Sequence, residues 1–155
     1  MKAKFVPKIL LFKGKGFFSM LIRWQTRSRY SHAAILLDDG HIIESWQKGG
    51  VQISHIKDWS KIDAYSVDGM TLDQWETAIK FAKSQLGKKY DFRSIFRFLS
   101  KRKAPDNSKW FCSELVYAAL TVAGVELLRN IESSEVSPAI LSYSPKLRPA
   151  VGISL

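Results

Sequence analysis

Cysteine is almost missing: Cys112 is the one thiol among 155 residues. A lone cysteine excludes an intramolecular disulfide and a cysteine-based structural zinc site. Long apolar runs are missing too, and no stretch approaches the roughly 18 residues of a membrane span. The longest run near the N-terminus is Ile9-Leu10-Leu11-Phe12. It is shorter than a signal-peptide core and has no small-residue cleavage site behind it. These absences set the expectation of a cytoplasmic protein, where a free thiol is ordinary. Nine glycines and five prolines are too few for a collagen-like or low-complexity chain. Acidic residues are scarce, 14 against 24 Lys and Arg, which leaves a net charge of +10.

That charge attracts anions: nucleic acid, anionic lipid or an anionic cell-wall polymer. No helix-turn-helix, zinc-finger or RNA-recognition signature narrows the choice toward nucleic acid. The basic residues are widely spread, and only Lys101-Arg102-Lys103 forms a tight cluster, ahead of the loop Ala104-Pro105-Asp106-Asn107-Ser108. The cluster reads either as a solvated basic loop or as a patch for an anionic polymer or membrane surface.

What is present is ordinary globular material, 46% apolar and 25% charged. The length suits one domain over residues 1–155 with a real core. Residues 5–12 read as a strand, with Pro7 pointing to an edge position or a strand start. Residues 17–26 place Phe17, Met20, Leu21 and Trp24 on one helical face. Strands follow at 31–37, 41–46, 51–56 and 61–67, with Asp38-Asp39-Gly40 as a hairpin turn. Thr71 and Gln74 form a capping box for a helix over 72–86, with Leu72, Trp75, Ala78, Ile79, Ala82 and Leu86 apolar and Gly87 as its stop. A short helix is expected over 91–100, with Asp91 as a candidate cap, and a buried helix over 112–123 ended by Gly124. The tail, 131–155, reads as irregular. Strands first and helices after predict an α+β fold.

Cys112 opens a predicted helix. A lone cysteine is often a small buried hydrophobe. A helix N-terminus, however, stabilises a thiolate through unpaired N–H groups and the positive dipole end. The same amides can hold an oxyanion. A thiolate nucleophile wants a histidine, and His32, His41 and His55 are the candidates. His41 lies beside the turn and His55 in a strand, where either is compatible with an exposed residue. His32 alternates with Ala34 and Leu36 in an apolar strand and needs a partner for its second nitrogen.

Glu44 is the candidate partner in one of two registers. A two-residue turn at Asp39-Gly40 sets Glu44 opposite Ile35, away from His32. A three-residue loop with Gly40 left-handed pairs Leu37 with His41 and sets Glu44 opposite Ala34, on the His32 face. One residue of slip decides between them.

Several segments together carry a resemblance. Gly14 to Ile35 holds a helix, a polar turn and Tyr-Ser-His in a strand. Glu44 follows His32 by 12 residues in HIIESW, ahead of Gly50-Val51. GKKYDF (87–92), WFCSELVYAAL (110–120) and VSPAILSYSP (136–145) come later. Over roughly residues 14–145 this set resembles the permuted NlpC/P60 group of papain-like proteins, the YiiX/YebB-like type. The resemblance implies a circularly permuted papain-like α+β fold, with an antiparallel sheet carrying the histidine and the cysteine at a helix N-terminus. It implies a bacterial or phage protein and a triad of Cys112 as nucleophile, His32 as base and Glu44 as orienting residue. Tyr90 and Ser113 would serve the oxyanion, Glu114 the first turn of the cysteine helix. Trp24, Trp46 and Trp110 are candidate cleft walls, Trp110 beside the nucleophile being the candidate for substrate contact. The implied activity is a cysteine hydrolase of amidase or peptidase type, without metal or organic cofactor, acting on an amide of a cell-wall or other small peptide. An acyltransferase or esterase on a lipid-like substrate and an inert binding module are the alternatives.

Overall fold

The computed structural model describes residues 6–37, 40–94 and 108–150. Six strands form one antiparallel sheet in the order β4-β3-β2-β1-β5-β8: β1 Lys8–Phe12, β2 His32–Leu36, β3 His41–Trp46, β4 Gly50–His55, β5 Ile62–Val67 and β8 Leu147–Pro149. Two short strands, β6 Lys89–Tyr90 and β7 Lys109–Trp110, pair in parallel beside it. The helices are α1 Phe17–Thr26, α2 Leu72–Ser84, α3 Cys112–Val122 and α4 Pro138–Ser142. This is the mixed α+β architecture expected. No helix among the described residues is long and apolar enough to cross a membrane.

The sheet has two apolar faces. Ile9, Leu11, Ala33, Ile35, Ile43 and Val51 turn to one side and pack with residues of α2 and α3. Leu10, Ala34 and Ile42 turn to the other and pack under Ile56, Trp59 and Ile62. A strand covered on both faces reads as a continuous apolar run, which is why KILLF lacks alternation. β1 lies in the middle of the sheet, not at its edge. Pro7 is tolerated because it stands just before the first ladder residue, where its missing N–H costs no sheet bond. Its carbonyl accepts the Val67 N–H at 3.2 Å.

The α2 capping box forms as read: Thr71 Oγ1 accepts the Gln74 N–H at 3.2 Å, and Gln74 Oε1 accepts the Thr71 N–H at 3.0 Å. Only Trp75, Ala78 and Ala82 are buried in that helix. Leu72 at its first turn and Leu86 beyond its end are exposed. In α1 the apolar face read from the spacing does not turn to the core as a unit: Leu21 is half-buried against the Cys112 cluster. Ile22 is buried while Met20 and Trp24 are 61% and 72% exposed. Periodicity finds an apolar stripe but not which side meets the core.

The tail is more ordered than expected. Ser137 Oγ accepts the Ile140 N–H at 3.1 Å and caps α4, with Pro138 in its first turn. β8 then pairs with β5 as an edge strand that tolerates Pro149. Asp91 accepts the Arg93 N–H at 3.0 Å, as a cap would. The rest of the expected 91–100 helix, and the Lys101-Arg102-Lys103 cluster, lie outside the described residues.

Gly50 lets the Tyr90 segment approach β4. The Val51 N–H donates to the Lys88 carbonyl at 2.8 Å, and the Gly87 N–H donates to the Val51 carbonyl at 2.9 Å. A Cβ on Gly50 would lie 2.1 Å from the Lys88 oxygen, and its φ of +71° already disfavours any side chain. Gly50→Ala is therefore expected to destabilise the protein by about 2–4 kcal/mol, read as a lowered denaturant midpoint. Gly16→Ala, whose Cβ would meet nothing within 4 Å, serves as the control and should leave the midpoint within about 1 kcal/mol.

Candidate active site

The cysteine is positioned by its helix start. Phe111 is the extended N-cap of α3, and its N–H donates to the Glu114 carboxylate at 3.1 Å. Glu114 thus completes the first turn, where a negative charge also suits the helix dipole. The Ser94 hydroxyl lies 3.1 Å from Glu114 and 2.9 Å from Asp91. Ser113 is fully buried, and its hydroxyl donates to the Val136 carbonyl at 2.5 Å, fastening α3 to the tail. The Ser45 hydroxyl donates to the Trp110 carbonyl at 2.6 Å, which ties β3 to the strand that ends just before the cysteine. Cys112 itself has no exposed surface and packs with Ile22, Tyr90 and Phe111.

The histidine strand takes the three-residue register. Ile35 pairs with Ile43 and Leu36 with Ile42, and the Leu37 N–H reaches the His41 carbonyl at 2.7 Å. Gly40 is left-handed, with φ of +76°. Continued one pair inward, this register sets Glu44 across from Ala34 and on the His32 face. His32 Nε2 and Glu44 Oε2 are 2.6 Å apart, and both residues are buried. Phe12 and Trp46 meet the His32 ring edge-on, with centroids at 5.1 and 4.9 Å. Only two ring nitrogens exist, so Nδ1 is left for Cys112.

Glu44 Oε1 accepts the Ser54 hydroxyl, and the Gln52 amide lies 3.5 Å from the same oxygen. Neither β4 residue was singled out from sequence. The signal was the alternation of Gln52 and Ser54 in VQISHI, readable only once the register of Glu44 is known.

The electrostatics follow from this packing. Burial alone would lower the His32 pKa. The Cys112 sulfur and the Glu44 carboxylate outweigh it and raise the pKa to about 9. For Glu44, burial raises the pKa, but hydrogen bonds from His32, Ser54 and Gln52 bring it below its ordinary value. Burial, then the charges of Cys112 and Asp91, push the Tyr90 phenol up, so it remains a neutral donor. Its ring meets Phe92 edge-on at 4.9 Å and Phe111 at a tilt at 5.6 Å between centroids.

The other candidates fall elsewhere. His41 and His55 face each other across β3 and β4 with ring centroids 4.9 Å apart. Both are exposed, and alternation turns them away from the Glu44 face, although His55 borders the cavity that His32 and Glu44 line. Trp110 sits in the core, its indole N–H donating to Gln85 at 3.1 Å, and does not form a cleft wall. Trp24 stands out on the α1 surface. Trp46 is the one of the three that lines the cavity beside the histidine, about 270 Å³, together with His32, Glu44, Phe12, Ile42 and Ile56.

A folded His32 pKa above the ordinary imidazole value of about 6.5 means that protonating this imidazole stabilises the fold. The contribution is complete below about pH 6.5 and is lost as pH rises through 9. NMR titration should find the His32 ring titrating near pH 9. In Glu44→Gln the midpoint should fall, because the carboxylate charge is gone while burial still favours the neutral ring.

Comparison with known proteins supplies the lineage. A family profile described as permuted papain-like amidase enzyme, YaeF/YiiX, C92 family, matches residues 10–138. No curated protein sequence matches at a significant level. Among solved structures, the fold matches one titled metalloprotein yiiX from Escherichia coli O157:H7, with a TM-score of 0.71 and 21% identity, covering 94% of this chain and 95% of that one. Among the described residues of the present chain, no three His, Cys, Asp or Glu side chains are grouped so as to hold a metal ion. The profile spans most of the chain, including both His32 and Cys112: the protein belongs to the permuted papain-like amidases of the YaeF/YiiX, C92 family.

Proposed function

We propose that Cys112, His32 and Glu44 act as a catalytic triad that hydrolyses an amide of a small peptide, such as a cell-wall peptide, through an acyl-enzyme. The observation that carries this reading is the buried His32–Glu44 pair at 2.6 Å, with Cys112 as the further partner that raises His32. The Cys112 sulfur gives its proton to His32 Nδ1 and attacks the carbonyl carbon. The N–H groups at the start of α3, with the Tyr90 phenol, receive the oxyanion. His32 then protonates the leaving amine, and the C–N bond breaks to leave a thioester. Water, deprotonated by His32, attacks that thioester. The acid departs and the thiol is restored. Glu44 holds the ring in one orientation and stabilises its charged form.

The same steps cleave an ester or thioester, and the apolar lining of the cavity beside His32 (Phe12, Ile42, Trp46, Ile56 and Ile62) favours an acyl group as a second reading. Cys112 is fully covered, so a substrate reaches it only when neighbouring side chains move. Leu21, Ile22 and Tyr90 are described members of that cluster.

Iodoacetamide alkylation of Cys112 tests the pair without a known substrate. In the wild type, rapid alkylation should persist well below the ordinary thiol pKa of about 8.5. His32→Ala should abolish that persistence. Slow alkylation that titrates as an ordinary thiol would instead favour an inert binding module. Against panels of peptide amides and acyl esters, Cys112→Ala and His32→Ala should each lose about a thousandfold or more in kcat/KM, and Glu44→Gln less. The preferred panel identifies the leaving group.

A further inference from the structure

The outer side of α1 is unusual for a buried-core helix. Ile22 points inward and packs with Cys112, Tyr90 and Phe111. Met20 and Trp24 point outward, at 61% and 72% exposure, and Phe18 is also exposed. Beside them, Phe92 is exposed and lies 6.2 Å from Phe18 between ring centroids, with Tyr90 next behind it at 4.9 Å. Aromatic rings therefore run from the α1 surface to the cysteine cluster.

The segment of chain that carries this helix holds charge of one sign. The first 37 residues hold eight Lys or Arg and no Asp or Glu, while the remaining residues hold 16 basic against 14 acidic side chains. Nearly all the excess charge of the chain thus arises in its first quarter. Lys13 and Arg29 already face Asp63, at 2.8 and 3.5 Å, and Arg23 donates to the Gly14 carbonyl at 3.2 Å. Lys15 and Arg27 are exposed, and no described ion pair engages them. A groove of about 470 Å³ is lined by Met20, Trp24, Arg23, Arg27, Ser28 and Arg29.

We infer that α1 docks the protein on an anionic lipid bilayer. Met20 and Trp24, one turn apart on the outer face of α1, enter the interface, and Arg23 and Arg27 beside them, with Lys15, meet the lipid phosphates. Tryptophan and basic residues on one amphipathic helix suit the headgroup boundary, where the ring buries its body and the cations find their counterions. A nucleic acid would use the same charges but would gain nothing from Met20.

Co-sedimentation with vesicles of phosphatidylcholine, with and without phosphatidylglycerol, tests it near physiological ionic strength. The wild type should bind the anionic vesicles at least tenfold more tightly than the neutral ones. Met20→Ser with Trp24→Ser should lose at least tenfold. Lys15→Gln with Arg27→Asn should lose roughly fivefold per charge. Asparagine is chosen because Arg27 is left-handed, with φ of +48°, a conformation asparagine tolerates. Cys112→Ser should bind as the wild type does. In the unsubstituted protein, brominated acyl chains should quench tryptophan fluorescence, and Trp24→Phe should remove that quenching. Equal binding to both vesicles, no quenching, wild-type binding by the Met20/Trp24 variant, loss of binding in Cys112→Ser, or tighter binding to a thymidine oligonucleotide than to vesicles would each overturn the inference.

Discussion

Burying a carboxylate in an apolar sheet costs several kcal/mol unless its charge is matched and its oxygens are hydrogen-bonded. Glu44 meets that condition on both oxygens. One faces His32 at 2.6 Å, and the other takes Ser54, with Gln52 nearby. The histidine is held in turn by aromatic edges from Phe12 and Trp46. Neither residue would be stable in its position without the other: an unpaired Glu44 would be a buried charge, and an unpaired His32 would be driven neutral by burial. The pair is possible only in the register that a left-handed Gly40 accompanies. A slip of one residue would turn Glu44 to the face that packs on α3 and present His32 to an apolar neighbour instead.

The same strand also reaches the cysteine. Glu44 points to one face and Ser45 to the other, and Ser45 holds the Trp110 carbonyl two residues before Cys112. Adjacent positions on β3 thereby fix both halves of the candidate site, the imidazole on the sheet and the sulfur on the helix. Glu114 and Ser113 complete the arrangement from inside α3, one closing the first turn and the other tying it to Val136. A nucleophile and its base that come from segments 80 residues apart need such short, polar ties, because apolar packing alone tolerates shifts of a fraction of an ångström. These ties are spatial and do not depend on which segment comes first, so they are compatible with the permuted order of the family to which the chain belongs.

Much of this was legible in the sequence. β1 to β5, α2 and α3 follow from apolar periodicity, turn residues and a capping box, which are local signals. The residues His32, Glu44 and Cys112 were legible as types, and their order pointed to the family. Their contact was not, because two loop lengths fit Asp38-Asp39-Gly40 equally well and the choice depends on which face of β3 the sheet buries. Ser54 and Gln52 were invisible for the same reason, since their meaning comes from pairing with β3. The β6–β7 ladder escaped because two-residue strands carry no periodicity. The ordered tail escaped because Pro138 and Pro149 look like breakers until one is seen at a helix start and the other on an edge strand. Trp110 was misplaced because an aromatic beside a nucleophile reads as a wall, whereas Gln85 and Phe81 claim it for the core.

The exposed stripe of α1 has a different character. Local pattern and global fold usually agree in a natural protein, and places where they part tend to serve something other than folding. The stripe of Met20 and Trp24 is a good core face by spacing, yet the fold leaves it in solvent and uses Ile22 in its place. Leaving a tryptophan and a methionine exposed gains nothing for stability, and it invites association. The surrounding excess of Lys and Arg argues against a second copy of the same chain as the occupant, since two such faces would repel. It favours a partner that is both apolar and anionic, and a lipid surface has both properties within one headgroup depth.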